Sequence, residues 1–145
     1  MDAAFRMRPE ALAEAVAADR RAGRRPFFVC ATVGTPSPTS IDPLPEIAAL
    51  CRRENLWLHV DGAYGGMAAL LPERRDALAG VAGADSLVVN PHKWLFTPID
   101  CSAFYTRDAA TVRGAFSLVP EYLRTSEGEP NSGYTVTNGM DYGLA

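Results

Sequence analysis

Three short segments of this sequence each end an apolar run with polar groups able to do chemistry. They are Thr32-Val33-Gly34-Thr35, His59-Val60-Asp61-Gly62-Ala63-Tyr64 and Val89-Asn90-Pro91-His92-Lys93-Trp94. Between them they supply a hydroxyl, a carboxylate, an amide, an imidazole and a primary amine. An amine can condense with a carbonyl compound, and a carboxylate can hold a proton on a neighbouring ring nitrogen. Taken singly, each residue has an ordinary explanation: Asp61 as a helix N-cap, Lys93 as a surface charge, His92 as a structural ring, Thr35 as a turn residue. Together they point to a site, because all lie at the carboxyl ends of expected strands, where open α/β sheets bind ligands. Lys93 also stands between His92 and Trp94 rather than among polar residues.

The elements that would position these groups alternate between helix and strand. Residues 9–22 read as a helix, with Pro9 near its start, alanines through its body and Gly23 closing it. The apolar run 26–33 reads as a strand buried on both faces of a parallel sheet. Residues 43–55 form a second helix with Leu44, Ile47, Ala48 and Cys51 on one face. Strands follow at 56–60, 86–89 and 102–106, with a Gly-rich turn and a third helical stretch before Ser86. Repeated βα units imply an α/β layered fold with a mostly parallel sheet flanked by helices, joined by right-handed connections. From Glu127 onward apolar periodicity fades into Gly, Asn, Ser and Thr. Two regions are therefore expected, 1–126 as a ligand-binding α/β region and 127–145 as a loop and connection.

Composition narrows the function classes. The chain has 145 residues, 48% hydrophobic and 21% charged, with a formal net charge of −3. That balance suits a globular domain with a core and gives no sign of nucleic-acid or anionic-membrane binding. No apolar run reaches the roughly 18 residues of a membrane span, and no signal peptide is seen. Arg20, Arg21, Arg24 and Arg25 read as a solvated helix end favoured by the helix dipole. Cys30, Cys51 and Cys101 are odd in number and lack a CxxC pair, so buried free thiols and a cytoplasmic location are expected. No metal-ligand spacing stands out.

The set of groups fits the needs of pyridoxal 5′-phosphate (PLP): an amine to hold it, an acid beside its ring nitrogen, a flat or small group under the ring, and donors for its phosphate. The stretch from Phe27 to Leu123 resembles the group II PLP-dependent amino-acid decarboxylases, which include the aromatic-L-amino-acid, tyrosine and histidine decarboxylases. His59-Val60-Asp61-Gly62-Ala63-Tyr64 and Asn90-Pro91-His92-Lys93-Trp94 carry the resemblance, with 93 − 61 = 32 residues between acid and amine. Ala84-Asp85-Ser86 and Asp100-Cys101-Ser102-Ala103 add to it.

The resemblance implies the large domain of the PLP-dependent transferase fold type I. It also implies decarboxylation of an L-amino acid, aromatic by analogy, to the amine in a homodimer. Lys93 would carry the cofactor, Asp61 would pair with its ring nitrogen and Ala63 would pack under the ring. Thr35 and Asn90 match cofactor-contacting positions, and His92 would lie beside the cofactor. Tyr122, in Pro120-Glu121-Tyr122-Leu123, matches a mobile-loop tyrosine that protonates the carbanion. The loop after Thr35 departs from the pattern, carrying Pro36 and Pro38 where small polar residues are expected. The resemblance covers the middle of the large domain, so the chain is expected to be a fragment. The phosphate loop and a ring-stacking histidine would lie upstream and a small domain downstream. An aminotransferase or cysteine desulfurase would share the Asp and Lys but not Trp94 or the Tyr122 loop. A chain that keeps the sequence but binds no cofactor is the third alternative.

Overall fold

The computed structural model describes residues 1–116, which fall into two compact units, Met1–Arg107 and a second that begins at Asp108. In the first unit, helix α1 (Pro9–Arg21) opens on a proline and closes at Gly23, whose φ of +72° suits a residue without Cβ. Strand β1 (Phe28–Thr32) follows, then helix α2 (Leu44–Glu54) and strand β2 (Trp57–Asp61). Leu44, Ile47, Ala48, Leu50 and Cys51 are the buried residues of α2. The helix ends on Asn55 in the left-handed region, which asparagine tolerates. Arg20 reaches across from α1 to Glu54 at 2.6 Å, and Arg24 pairs with Asp19. The arginine cluster is thus a helix end tied to its own surroundings.

Strand β3 (Ser86–Val89) and strand β4 (Ala103–Thr106) complete a sheet of order β1-β2-β3-β4. The first two pairings are parallel and β3 with β4 is antiparallel. The helical stretch expected before Ser86 is instead three short 3₁₀ segments, Gly66–Leu70, Pro72–Leu78 and Val81–Gly83. Pro72 cannot donate to a preceding turn, and Gly80 sits at φ +87°, so no continuous α-helix can run through this region. Between β3 and β4 lies the short helix α3 (Pro91–Trp94). In the second unit, helix α4 (Ala109–Phe116) begins at Asp108, whose carboxylate accepts from the Thr111 backbone N–H at 2.9 Å.

The core occupies one face of the sheet. Val29, Ala31, Val33, Leu58 and Val60 pack there with Leu44, Ile47, Ala48 and Cys51 of α2. Side chains alternate along a strand, so the other face carries Phe28, Cys30, His59 and Phe104. It is open: Phe28 is 49% and Phe104 52% exposed. The expected burial of 26–33 on both faces therefore holds for one face only, and of the three free thiols Cys51 is buried, Cys101 half-buried and Cys30 exposed. Burial pushes the Cys51 thiol up to about 11. Two aspartates complete the backbone pairing. Asp42 accepts from the N–H groups of Met7 (2.6 Å) and Thr32 (2.8 Å), and Asp85 accepts from Leu58 N–H (2.7 Å). A backbone donor at a strand edge is costly to leave unpaired, so Asp85, part of a motif noted in the sequence, has a structural task.

Candidate functional site

The carboxyl ends of β1, β2 and β3 lie side by side, and glycines let the segments that follow them close up. Gly34 has φ +72°, and a Cβ on it would stand 2.6 Å from the Gly65 Cα. Gly65 donates its N–H to the Val33 carbonyl at 3.1 Å, and Gly62 donates to Val88 O at 2.9 Å. The loops after β1 and β2, and the end of β3, are thereby drawn together at backbone distance.

Asp61 is the last residue of β2 and faces the open side of the sheet. Its Oδ1 accepts from the Ala63 N–H at 3.0 Å, which fixes the carboxylate and places Ala63 immediately beside it. Asn90 follows the next strand and is the N-cap residue of α3. Lys93 donates its backbone N–H to Asn90 O at 3.0 Å, and its side chain is exposed. The ring of Tyr64, following β2, meets Trp94 edge-on with centroids 5.6 Å apart. This contact couples the turn that carries Asp61 to the turn that carries Lys93 and is worth roughly 0.5–1.5 kcal/mol beyond area burial.

The remaining expected residues are placed less uniformly. Thr35 Oγ1 lies 3.1 Å from Ser40 Oγ and accepts from Ser40 N–H at 3.2 Å, so its hydroxyl shapes the loop after β1. His92 Nδ1 lies 2.9 Å from Cys101 O and 3.1 Å from Cys101 N, which tethers α3 to the approach to β4 and leaves Nε2 as the ring atom without a hydrogen bond among the described residues. Tyr122 lies outside the described residues.

Beside Asn90, which the sequence singled out, groups at or near the strand ends that it did not single out are Thr97 and His59. Asn90 Oδ1 and Thr97 Oγ1 are buried with no hydrogen-bond partner among the described residues. Buried acceptors of this kind are rare and call for an explanation. On the open face, His59 Nδ1 lies 2.8 Å from Ser86 Oγ, which also accepts from Trp57 Nε1–H at 2.9 Å. Burial lowers the His59 pKa, with Asp61 acting in the opposite direction. Partial desolvation likewise raises the Cys30 thiol, with the Asp61 charge adding to the shift and a hydrogen bond with the Asp61 backbone opposing it. The signal for His59 was the two-residue period of a strand, which puts it on the same face as Asp61.

A carboxylate, a primary amine and a partnerless buried acceptor lie at or just beyond the carboxyl ends of adjacent parallel strands of an α/β protein, the place where such sheets bind ligands. The donor set fits PLP: the carboxylate suits a protonated ring nitrogen, the amine a carbonyl carbon, and Asn90 Oδ1 lacks the donor it requires. Comparison with known proteins agrees. The pyridoxal-dependent decarboxylase conserved domain matches residues 1–141, and the chain belongs to that family. The aromatic-L-amino-acid decarboxylase of Bos taurus is 51% identical over 125 residues, covering 86% of this chain and 26% of that protein. The phenylacetaldehyde synthase of Arabidopsis thaliana is 42% identical over 127 residues, 88% of this chain and 26% of its own length. The crystal structure of Oryza sativa TDC with PLP and tryptamine superposes with a TM-score of 0.77 at 39% identity, covering 98% of this chain and 26% of that one. The chain thus spans about a quarter of the length of the relatives it matches.

Proposed function

We propose that this chain forms the cofactor-holding part of an enzyme that decarboxylates an L-amino acid, aromatic by analogy with its relatives, to the amine. The observation that carries the reading is the placement of Asp61 and Lys93 at the ends of neighbouring parallel strands, joined through the Tyr64–Trp94 contact. Lys93 is also the sole lysine of the chain beside 13 arginines. An arginine cannot lose its charge to become a nucleophile, so Lys93 is the side-chain amine available for this role.

When bound, PLP supplies an electron-accepting ring that takes up the pair left by departing carbon dioxide. Lys93 would hold it covalently. Asp61, fixed by Ala63 N–H, keeps a proton on the ring nitrogen, and Ala63 offers a side chain small enough for a ring to lie against. Asn90 and Thr35 contribute polar contacts, the latter through a loop already ordered by Ser40. His92 stands beside Lys93 with its orientation set by Cys101. Tyr122 returns a proton to the substrate carbon. Residues 1–126 make up the cofactor-binding region and 127–145 the connection beyond it. The enzyme works as a cytoplasmic homodimer, a reading supported by three free thiols and by the exposed apolar side chains of Leu95, Phe96 and Ile99 near Lys93.

The test is covalent trapping. The protein is incubated with PLP, reduced with borohydride and mapped by mass spectrometry. A pyridoxyl label on Lys93 is expected, and it should vanish in Lys93→Ala. Label confined to the Met1 amine, or a label unaffected by Lys93→Ala, would overturn the assignment.

A further inference from the structure

We propose that His59 is a positioning residue for Asp61, held in place by a Trp57–Ser86 hydrogen-bond relay and by two flanking aromatic rings. The proposal rests on the reading of Asp61 given above. It begins from β2, where Trp57, His59 and Asp61 alternate with the buried Leu58 and Val60 and so share the open face of the sheet. Side chains two positions apart on a strand are separated by roughly 6.6 Å, two strand rises. His59 therefore neighbours Asp61 along the same face, on its amino-terminal side, while the Ala63 N–H fixes Oδ1 on the other.

The imidazole has little freedom. Phe28 of β1 stacks on one side at 6.2 Å and Phe104 of β4 on the other at 5.9 Å, both with interplanar angles of 21°. Ser86, paired in register with His59, is 4% exposed and brings Oγ to 2.8 Å from Nδ1. Trp57 Nε1–H donates to that same Oγ at 2.9 Å. In the proposed relay the serine accepts from tryptophan and gives its own hydroxyl proton to Nδ1, leaving the imidazole proton on Nε2.

Among the described groups facing His59, Asp61 carries a charge, Cys30 of β1 is a thiol raised by burial, and Phe28, Phe104 and Ser86 are neutral. Burial lowers the His59 pKa more than Asp61 raises it. At neutral pH the ring therefore adds no positive charge beside the carboxylate, which would otherwise compete with a protonated ring nitrogen for it. A rigid, uncharged neighbour on the same face leaves the carboxylate its charge.

The first test uses the chain without cofactor. Long-range ¹⁵N–¹H spectra should show His59 as the Nε2–H tautomer, with Ser86→Ala producing a mixture. Asp61→Asn should lower the His59 titration midpoint, since Asp61 raises it. A midpoint unmoved by Asp61→Asn would overturn the coupling. The second test is a double-mutant cycle on PLP affinity, read by quenching of intrinsic fluorescence. His59→Phe keeps an aromatic ring in the stack but removes both nitrogens, and about a tenfold loss of affinity is expected. Ser86→Ala repeats the measurement where the histidine variant unfolds. In Asp61→Asn, either change should cost no further affinity, because contacting residues in one network are non-additive. Equal losses with and without Asp61 would show that His59 acts only on general stability and would sink the proposal. If Asp61→Asn itself leaves PLP affinity intact while the His59 midpoint still moves, the coupling stands and the role given to Asp61 fails instead.

Discussion

Replacing Gly65 with alanine tests the arrangement that assembles the site. Gly65 sits at φ −85°, ψ −14°, a region any residue adopts, so the new side chain meets no backbone penalty. On that ground alone the change would stabilise by about 0.4–1 kcal/mol through the unfolded state. Against this, its Cβ would lie 2.6 Å from the Val33 carbonyl oxygen and 2.7 Å from the Gly34 Cα. Both are backbone atoms, with no flexible side chain to yield. Overpacking of this kind costs roughly 1–3 kcal/mol, so steric repulsion wins, and a net loss of about 1–2 kcal/mol is expected. That is a fall of roughly 5–30-fold in the folded-to-unfolded ratio. The chain can relieve the clash by parting the loops after β1 and β2, which moves Thr35 away from Asp61, so PLP affinity should fall as well. Urea unfolding should show a lower midpoint with unchanged slope, and PLP binding can be followed on the same samples. Gly23→Ala is the control. It imposes left-handed strain at φ +72° but meets nothing within 4 Å, so it should lose stability without losing PLP affinity. A Gly65→Ala protein as stable as the wild type, with PLP affinity intact, would refute the close approach of the two loops.

In a full-length enzyme carrying this segment, Asp61→Asn should preserve the fold and lower turnover by two decades or more, about 2.7 kcal/mol of barrier; steady-state kinetics showing near-normal turnover would contradict the role given to Asp61. In the same full-length context, Tyr122→Phe should shift product from amine towards aldehyde in the presence of oxygen, as product analysis by chromatography would show, and an unchanged amine yield would remove Tyr122 from the mechanism. Stability should also depend on pH through His59. Its pKa is lowered from the ordinary 6.5, so the unfolded chain binds the proton more readily. The contribution is complete above about pH 6.5 and is lost as pH falls from there through the lowered folded value. Urea midpoints measured between pH 7.5 and 5 should fall more steeply for the wild type than for His59→Phe.

The sequence by itself determined the four strands, the first two helices and the two motifs that contain Asp61 and Lys93. Apolar runs placed β1 to β4 within a few residues of their observed limits, because buried strands leave unbroken hydrophobic segments. Proline and glycine marked the ends of α1, because their backbone preferences are local. The two motifs containing Asp61 and Lys93 were legible for the same reason: each is a short segment with its own pattern. The tertiary structure decided what depends on neighbours distant along the chain. It showed that one sheet face is covered and the other open, which an apolar run cannot reveal because the same residues suit either case. It replaced the third helix by 3₁₀ turns, the outcome of Pro72 and Gly80 acting on a stretch whose composition alone reads as helical. It assigned Thr35 and His92 to hydrogen bonds with Ser40 and Cys101, and Asp85 to a strand edge, since a side chain's partner depends on which elements meet. It also brought together Trp57, His59 and Ser86, whose relation exists through strand register, a property of the paired sheet that neither strand holds alone.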